Sequence, residues 1–198
     1  EGLKVTTLLT ACGSCRDGLS HYDLGPELSA DLEAMDVLQF MLSRDKDSAP
    51  IAARPVVYHP SCHAEWTGLA PAKASEVYRQ ALGQRLNSEV TLSPGCCGES
   101  GLGALTSPQI YGKLRSRKQH GLQRELAGKS DDTPVIVGCP SCKIGIGRSL
   151  LALSQPQPVF HTLEYLARLS FGEEWRARME QAASKAEKRG SVRVVTLR

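Results

Sequence analysis

Cysteines are the residues of this sequence whose type and spacing could do chemistry. The chain has seven of them. Five fall into three groups between residues 62 and 142: Cys62, the adjacent pair Cys96 and Cys97, and Cys139 with Cys142. An odd count with C-x-x-C and C-C spacings does not suit a disulfide framework. Thiolates are soft ligands for zinc and for iron–sulfur clusters, so the pattern predicts a metal or redox centre.

The number of cysteines bears on which metal they would hold. Zinc takes four ligands in a closed tetrahedral site, so five cysteines are one too many for it. A vicinal pair such as Cys96 and Cys97 is also awkward at a single tetrahedral metal. Gly95 and Gly98 flank the pair and allow the backbone to approach closely. The spacing favours an iron–sulfur cluster, and zinc remains the alternative.

Composition excludes several other classes of function. The 198 residues carry a net charge of +3, which is too small to argue for nucleic acid binding. No apolar run approaches the roughly 18 residues that a membrane-spanning helix needs, and no signal peptide is evident. We therefore expect a cytoplasmic protein, with peripheral attachment at the inner face of the membrane left open. No glycine-rich nucleotide motif is present, so any flavin would belong to another domain or a partner.

Alternating segments predict the elements that must position the cysteines. Strands are predicted at 4–9, 54–59, 89–93, 134–138, 158–160 and 192–197. Helices are predicted at 27–43, 73–86, 107–127, 143–153, 162–170 and 173–189, with a turn at 12–15. This alternation predicts an α/β fold with a parallel sheet flanked by helices. Each cysteine group follows a predicted strand, so three loops should meet at the carboxyl edge of one sheet.

An internal repeat divides the chain. Residues 8–16 match 135–143, and residues 36–41 match 161–166 after a two-residue slip. We therefore expect residues 1–50 to form the C-terminal part of a first cysteine-rich module and 51–172 to form a complete second one. Residues 173–198 should form a charged helix and a strand.

The motifs of the second module resemble a known family. Tyr58-His-Pro-Ser-Cys62-His, Gly95-Cys-Cys-Gly98, Cys139-Pro-Ser-Cys142 and His161-Thr-Leu-Glu164 are similar to the CCG-type cysteine-rich domain. This domain occurs in heterodisulfide reductases and in the iron–sulfur subunits of anaerobic glycerol-3-phosphate, glycolate and lactate dehydrogenases. The resemblance covers about residues 54–170. It implies that the five cysteines hold a [4Fe-4S] cluster of the non-cubane type.

The resemblance also implies a function. It suggests the C-terminal part of a large FAD-linked iron–sulfur oxidoreductase. The module would relay electrons from a flavin domain, which oxidises a 2-hydroxy acid or similar donor, to a quinone or another acceptor. The flavin-dependent activity and further iron–sulfur modules would then lie outside this chain. Disulfide reduction at the cluster and a zinc-bound docking module are the two alternatives.

Four further residues are candidates around the five cysteines. Cys12 and Cys15 repeat the C-x-x-C spacing, yet nothing upstream in this sequence matches Cys62 or the Cys-Cys pair. They are either additional ligands or a thioredoxin-like redox pair. His59 and His63 are expected beside the centre rather than as ligands, where His59 could hydrogen-bond a sulfur or relay a proton.

Overall fold

The protein divides into two compact units, Glu1–Thr162 and Leu163–Arg198. A computed structural model describes residues 6–20, 32–44, 49–64, 66, 69–99 and 102–190. The predicted strand at 192–197 lies outside these residues. The predicted boundaries of the three domains remain a prediction.

Six strands and the helices between them form the described part of the chain. The strands are β1 (Thr7–Thr10), β2 (Glu33–Asp36), β3 (Val56–His59), β4 (Val90–Leu92), β5 (Val135–Val137) and β6 (Val159–His161). The helices are α1 (Gly13–Ser20), α2 (Val37–Arg44), α3 (Pro71–Leu86), α4 (Leu102–Thr106), α5 (Pro108–Leu126), α6 (Pro140–Ala152), α7 (Thr162–Phe171) and α8 (Trp175–Lys188). α7 begins at the last residue of the first unit, and α8 belongs to the second.

The strands form two sheets. β1 pairs with β2, and the larger sheet has the order β4-β3-β5-β6. All of these pairings are parallel. The predicted α/β fold with parallel sheets flanked by helices is confirmed.

The core of the first unit lies around the central strands of the larger sheet. Every residue of β3 and β5 is buried, as expected for parallel strands that helices cover on both faces. Side chains from α5 and α6 complete this core, including Leu122, Leu126, Ile146 and Leu150. The same cluster contains Cys97, Cys139 and Cys142, so three of the sulfurs lie within the apolar core.

The internal repeat of the sequence is visible in the structure. β1, α1, β2 and α2 follow one another as β5, α6, β6 and α7 do. Thr10 pairs with Asp36 in the small sheet, and Val137 pairs with His161 in the large one, so the same repeat positions lie side by side. The described part of the first module is therefore a strand–helix–strand–helix unit of the same kind.

Two local predictions were wrong. The helix predicted at 27–43 is a strand over Glu33–Asp36 and a helix only from Val37 onwards, while residues 27–31 lie outside the described part. Asp36 ends the strand because its carboxylate accepts the backbone N–H of Leu38 at 2.8 Å and so caps α2. The turn predicted at 12–15 is the start of α1, which begins at Gly13.

The other predicted elements within the described residues are confirmed to within a few positions. α6 begins three residues earlier than predicted, at Pro140, which places Cys142 in its first turn. α5 begins as predicted after Ser107, with Pro108 at its first position.

Candidate metal centre

Three neighbouring strands carry the five cysteines. Cys62 follows β3, the pair Cys96 and Cys97 follows β4, and Cys139 comes two residues after β5 ends. These strands are adjacent and parallel, so their carboxyl ends point to the same edge of the sheet. Loops that leave one edge together form the usual crevice for ligands in open α/β sheets.

The three loops surround one cavity of about 450 Å³. All five cysteines line it: Cys62, Cys96, Cys97, Cys139 and Cys142. Tyr111 and Leu114 of α5 and Ser14 of α1 also line it, so the first module contributes one of its walls. The structure thus brings the five predicted residues together; their role as ligands remains a prediction.

The Cys96–Cys97 loop requires glycine at both ends. Gly95 and Gly98 have φ values of +89° and +72°, a region that other residues rarely adopt. A Cβ at Gly98 would also lie 2.9 Å from the backbone nitrogen of Arg115. The Gly98 N–H donates a hydrogen bond to Cys96 Sγ over 3.4 Å. Hydrogen bonds to cysteine sulfur are one of the factors that set the reduction potential of an iron–sulfur cluster.

Hydrogen bonds link the thiol groups of Cys97, Cys139 and Cys142. The single S–H of the Cys142 thiol can donate to either Cys97 or Cys139, and this hydrogen bonding lowers the pKa of Cys97 to about 4 and that of Cys139 to about 5. The same bonds, with burial, raise the pKa of Cys142. Cys139 immediately precedes α6, and a helix N-terminus favours a thiolate. Hydrogen bonding within the site therefore favours the thiolate form of Cys97 and Cys139 even before a cation enters.

Cys62 lies on the open side of the cavity. The residue is exposed, unlike Cys97, Cys139 and Cys142. Desolvation of its thiol and the neighbouring Cys96 and Cys97 raise its pKa to about 11. Cys62 is therefore the ligand candidate that solvent reaches most easily, and it needs a cation nearby to ionise.

Cys12 meets its repeat counterpart directly. Its sulfur lies 3.6 Å from that of Cys139, and both residues precede a helix in the same way. The Arg16 N–H bonds to Cys12 O at 3.0 Å, and the Lys143 N–H bonds to Cys139 O at 3.1 Å. Burial raises the pKa of Cys12 to about 11. Cys12 therefore contacts the centre through another thiol, whereas Cys15 is exposed and is not among the residues that line the cavity.

The two predicted neighbouring histidines differ sharply. His63 lines the cavity at its surface, and its Nδ1 lies 3.2 Å from Asp17 Oδ2. His59, the last residue of β3, is completely buried. Its Nδ1 lies 2.9 Å from the carbonyl oxygen of Ser93, in the segment that leads to the Cys96–Cys97 loop.

Lys118 is a functional candidate that the sequence patterns did not reveal. It is 3% exposed, and its Nζ donates to Ser93 O at 2.7 Å and to Pro94 O at 3.1 Å. Burial lowers its pKa to about 8, against the opposing charges of Glu125 and the cysteine sulfurs. Lys118 interrupts the apolar series Leu114, Leu122 and Leu126 at four-residue spacing. A lysine in an otherwise apolar helix stripe is the signal that could have found it.

The donor set fits a soft metal. Five cysteine sulfurs line one cavity, and the ligand atoms of Cys97, Cys142 and His59 lie within 4.8 Å of one another. Two of the sulfurs are already favoured as thiolates, the form that ligates metals. These residues fit both an iron–sulfur cluster and zinc.

The fold and this site together define a parallel α/β module built around a cysteine cluster of the metal-binding type. Residues 56–147 match the sequence profile of the CCG family, which is described as a cysteine-rich domain. The predicted resemblance to that family is confirmed. A search of the curated proteins found no match. Among the helices that the structure describes, none is long and apolar enough to cross a membrane.

Proposed function

We propose that this chain is an iron–sulfur electron-transfer module of an oxidoreductase. The observation that carries the proposal is the meeting of five cysteines from three adjacent loops around one cavity. Five thiols exceed the four ligands of a closed zinc site, and thiolate is the usual ligand of iron–sulfur clusters. A bound cluster would supply the ability to accept and release one electron at a time.

The residues of the chain would hold and tune this centre. Cys97, Cys139 and Cys142 supply sulfur from the apolar core, and Cys62 supplies it from the exposed side. The buried ammonium of Lys118 lies under the Cys96–Cys97 loop, where a positive charge stabilises the more negative, reduced state. The hydrogen bond from Gly98 N–H to the Cys96 sulfur would likewise stabilise the reduced state.

The partners follow from the chemistry. A flavin domain or subunit that oxidises a 2-hydroxy acid would deliver its two electrons singly, and a quinone or similar acceptor would take them with protons from solvent. Other iron–sulfur modules would lie between them. The cysteines contain no disulfide within the described residues, which suits the reducing cytoplasm, with attachment at the membrane surface through a partner.

Two other functions have support from particular observations. The exposure of Cys62 would let a disulfide substrate reach the centre, which favours disulfide reduction. The close grouping of Cys97, Cys142 and His59 would suit zinc in a docking module. The metal content and the reaction with added disulfide separate these functions from electron transfer.

The test is anaerobic purification or reconstitution with iron and sulfide. We expect bound iron and inorganic sulfide, with a visible absorbance that bleaches on reduction. Cys96→Ser and Cys97→Ser should each lose the cluster, whereas Cys15→Ser, an exposed cysteine outside the cavity lining, should keep it. Zinc as the sole metal after anaerobic preparation would contradict the proposal. Reoxidation of the reduced protein by a disulfide, but not by a quinone analogue, would favour the reductase alternative.

A further inference from the structure

We propose that His59 is a nitrogen ligand of the metal centre, beside Cys97 and Cys142. This inference rests on the proposed metal-binding function and adds a ligand of a different element to it. The observation behind it is one ring nitrogen, Nε2, that is buried without a hydrogen-bond partner in the described structure.

The opposite ring nitrogen determines the tautomer of His59. Nδ1 lies 2.9 Å from Ser93 O, and a carbonyl oxygen can only accept a hydrogen bond. Nδ1 must therefore carry the hydrogen, which leaves the lone pair of the neutral ring on Nε2. The Ser93 carbonyl oxygen also accepts a hydrogen bond from Lys118 Nζ at 2.7 Å. Two donors therefore hold this oxygen in position.

The backbone around the ring is equally constrained. The Ser93 N–H donates to Tyr58 O at 2.8 Å, and the His59 carbonyl accepts the Gly138 N–H at 3.1 Å. His59 is 0% exposed, so its side chain has no route to solvent in this conformation. The ring is therefore held beside the two buried cysteine sulfurs.

An unpartnered buried nitrogen costs free energy, and a bound ion is one of the accepted explanations. A ring nitrogen of His59 and the sulfurs of Cys97 and Cys142 all lie within 4.8 Å of one another, a separation that small shifts would bring to one metal ion. Metal-ligating histidines almost always donate their other N–H to a carbonyl or carboxylate, as Nδ1 does here. The Cys139 sulfur, which is hydrogen-bonded to Cys142, is a candidate for a fourth ligand.

Zinc X-ray absorption on metal-free protein loaded with one equivalent of Zn²⁺ tests this directly. We expect the wild type to show scattering from one imidazole together with sulfur. His59→Gln should lose the imidazole scattering and bind Zn²⁺ at least about 100-fold more weakly, beyond the loss expected for a residue that only orients a ligand. His120→Ala removes a histidine that does not line the cavity and should match the wild type in both measurements.

A second measurement avoids dependence on the folding of the variant. In wild-type protein labelled with ¹⁵N-histidine, Zn²⁺ should shift the Nε2 resonance of a ring whose Nδ1–H is protected from solvent exchange. His59 is the fully buried histidine among those that the structure describes. If Zn²⁺ binds but the Nε2 resonance of the protected ring does not shift, the inference about His59 is wrong, while the proposed function is unaffected. A wild-type protein that takes up neither Zn²⁺ nor iron would overturn the proposed function instead.

Discussion

Among single residues, the centre combines thiols with very different proton affinities. Cys97 and Cys139 are favoured as thiolates because the single S–H of Cys142 can donate to either of them, whereas the pKa of Cys142 itself is raised. The arrangement keeps negative charge ready in the apolar core for a cation. Removing one of its hydrogen bonds should therefore change the ionisation of the others.

We expect Cys142→Ala to raise the pKa of Cys97 and Cys139 in the metal-free protein. Their pKa values of about 4 and 5 depend first on hydrogen bonding with the Cys142 thiol, so near neutral pH the wild type should carry more thiolate than the variant. Thiolate ultraviolet absorbance against pH measures this change. The absorbance should disappear as the pH falls through about 5 to about 4 in the wild type, and at a clearly higher pH in the variant. Cys15→Ser should follow the wild type, and identical curves for all three proteins would refute the hydrogen-bond account.

Lys118→Met tests the buried cation near the Cys96–Cys97 loop. In this variant the Pro94 carbonyl oxygen loses the hydrogen bond from Lys118. The Ser93 carbonyl oxygen loses it too and keeps the hydrogen bond from His59. Glu125, which accepts from Ser93 Oγ, also loses its cation. We expect the free energy of unfolding to fall by about 2–3 kcal/mol, as for charge-assisted buried hydrogen bonds. Urea denaturation measures it.

The matched control is Lys113→Met on the same helix, where the side chain is exposed. The free energy of unfolding of this variant should lie within about 0.5 kcal/mol of that of the wild type. Lys118→Arg, which restores the charge, should recover part of any change in cluster potential that Lys118→Met causes. If the reduction potential of the cluster is the same in Lys118→Met, Lys118→Arg and Lys113→Met, the role of Lys118 is structural only.

Among the elements, helix α6 positions two of the three cysteine groups relative to each other. Cys139 precedes it and Cys142 lies in its first turn, while its next turn packs against the loop of Cys96 and Cys97. A Cβ added at Gly145 would lie 3.1 Å from both the Cβ and the carbonyl oxygen of Cys97, and 2.9 Å from the Cβ of Glu99. The close contact between helix and loop depends on the absence of a side chain at this position.

We therefore expect Gly145→Ala to move the Cys96–Cys97 loop away from Cys142 and to weaken metal binding. Its cost in unfolding free energy should be about 1–3 kcal/mol, the usual range for overpacking. Gly147→Ala, two residues on in the same helix, adds a Cβ with no atom within 4 Å and should stabilise the protein by about 0.5–1 kcal/mol. Zn²⁺ titration and urea denaturation of both variants measure the contrast. Equal metal affinity in the two variants would show that the helix does not set the loop position.

Across the whole first unit, residues related by the internal repeat contact each other. Cys12 contacts Cys139, and the start of α1 lies against the Cys62 loop. A Cβ at Gly13 would come within 2.1 Å of Ser61 Oγ and 3.0 Å of His63 O. The first module thus supports the loop that carries one proposed ligand of the second.

Gly13→Ala should separate α1 from the Cys62 loop and cost about 1–3 kcal/mol of stability. Gly18→Ala lies in the same helix with no atom within 4 Å of the new Cβ, and it should gain about 0.5–1 kcal/mol. Chemical denaturation measures both, and alkylation of Cys62 in the folded protein reports whether the loop has moved. Unchanged alkylation in Gly13→Ala would mean that the modules do not support each other at this contact.

Local sequence patterns were sufficient to predict the cysteine set and the order of the strands that deliver it. Buried parallel strands such as β3 and β5 have continuous apolar runs, and loops at one edge of a sheet must converge. The fold class, the repeat and the grouping of the five cysteines could therefore be predicted. The patterns were misleading at Glu33–Asp36, where pairing with β1 overrode an apolar spacing that also suits a helix.

Contacts between residues distant in the chain emerged only from the packing of the elements. The sulfur of Cys12 lies against Cys139, Lys118 donates to Ser93 and Pro94, and the buried Nε2 of His59 has no hydrogen-bond partner among the described residues. Periodicity assigns a residue to a face of an element, but proton sharing and hydrogen bonding depend on distances of a few ångströms across elements. Those distances arise only when the sheet edges and helices come together.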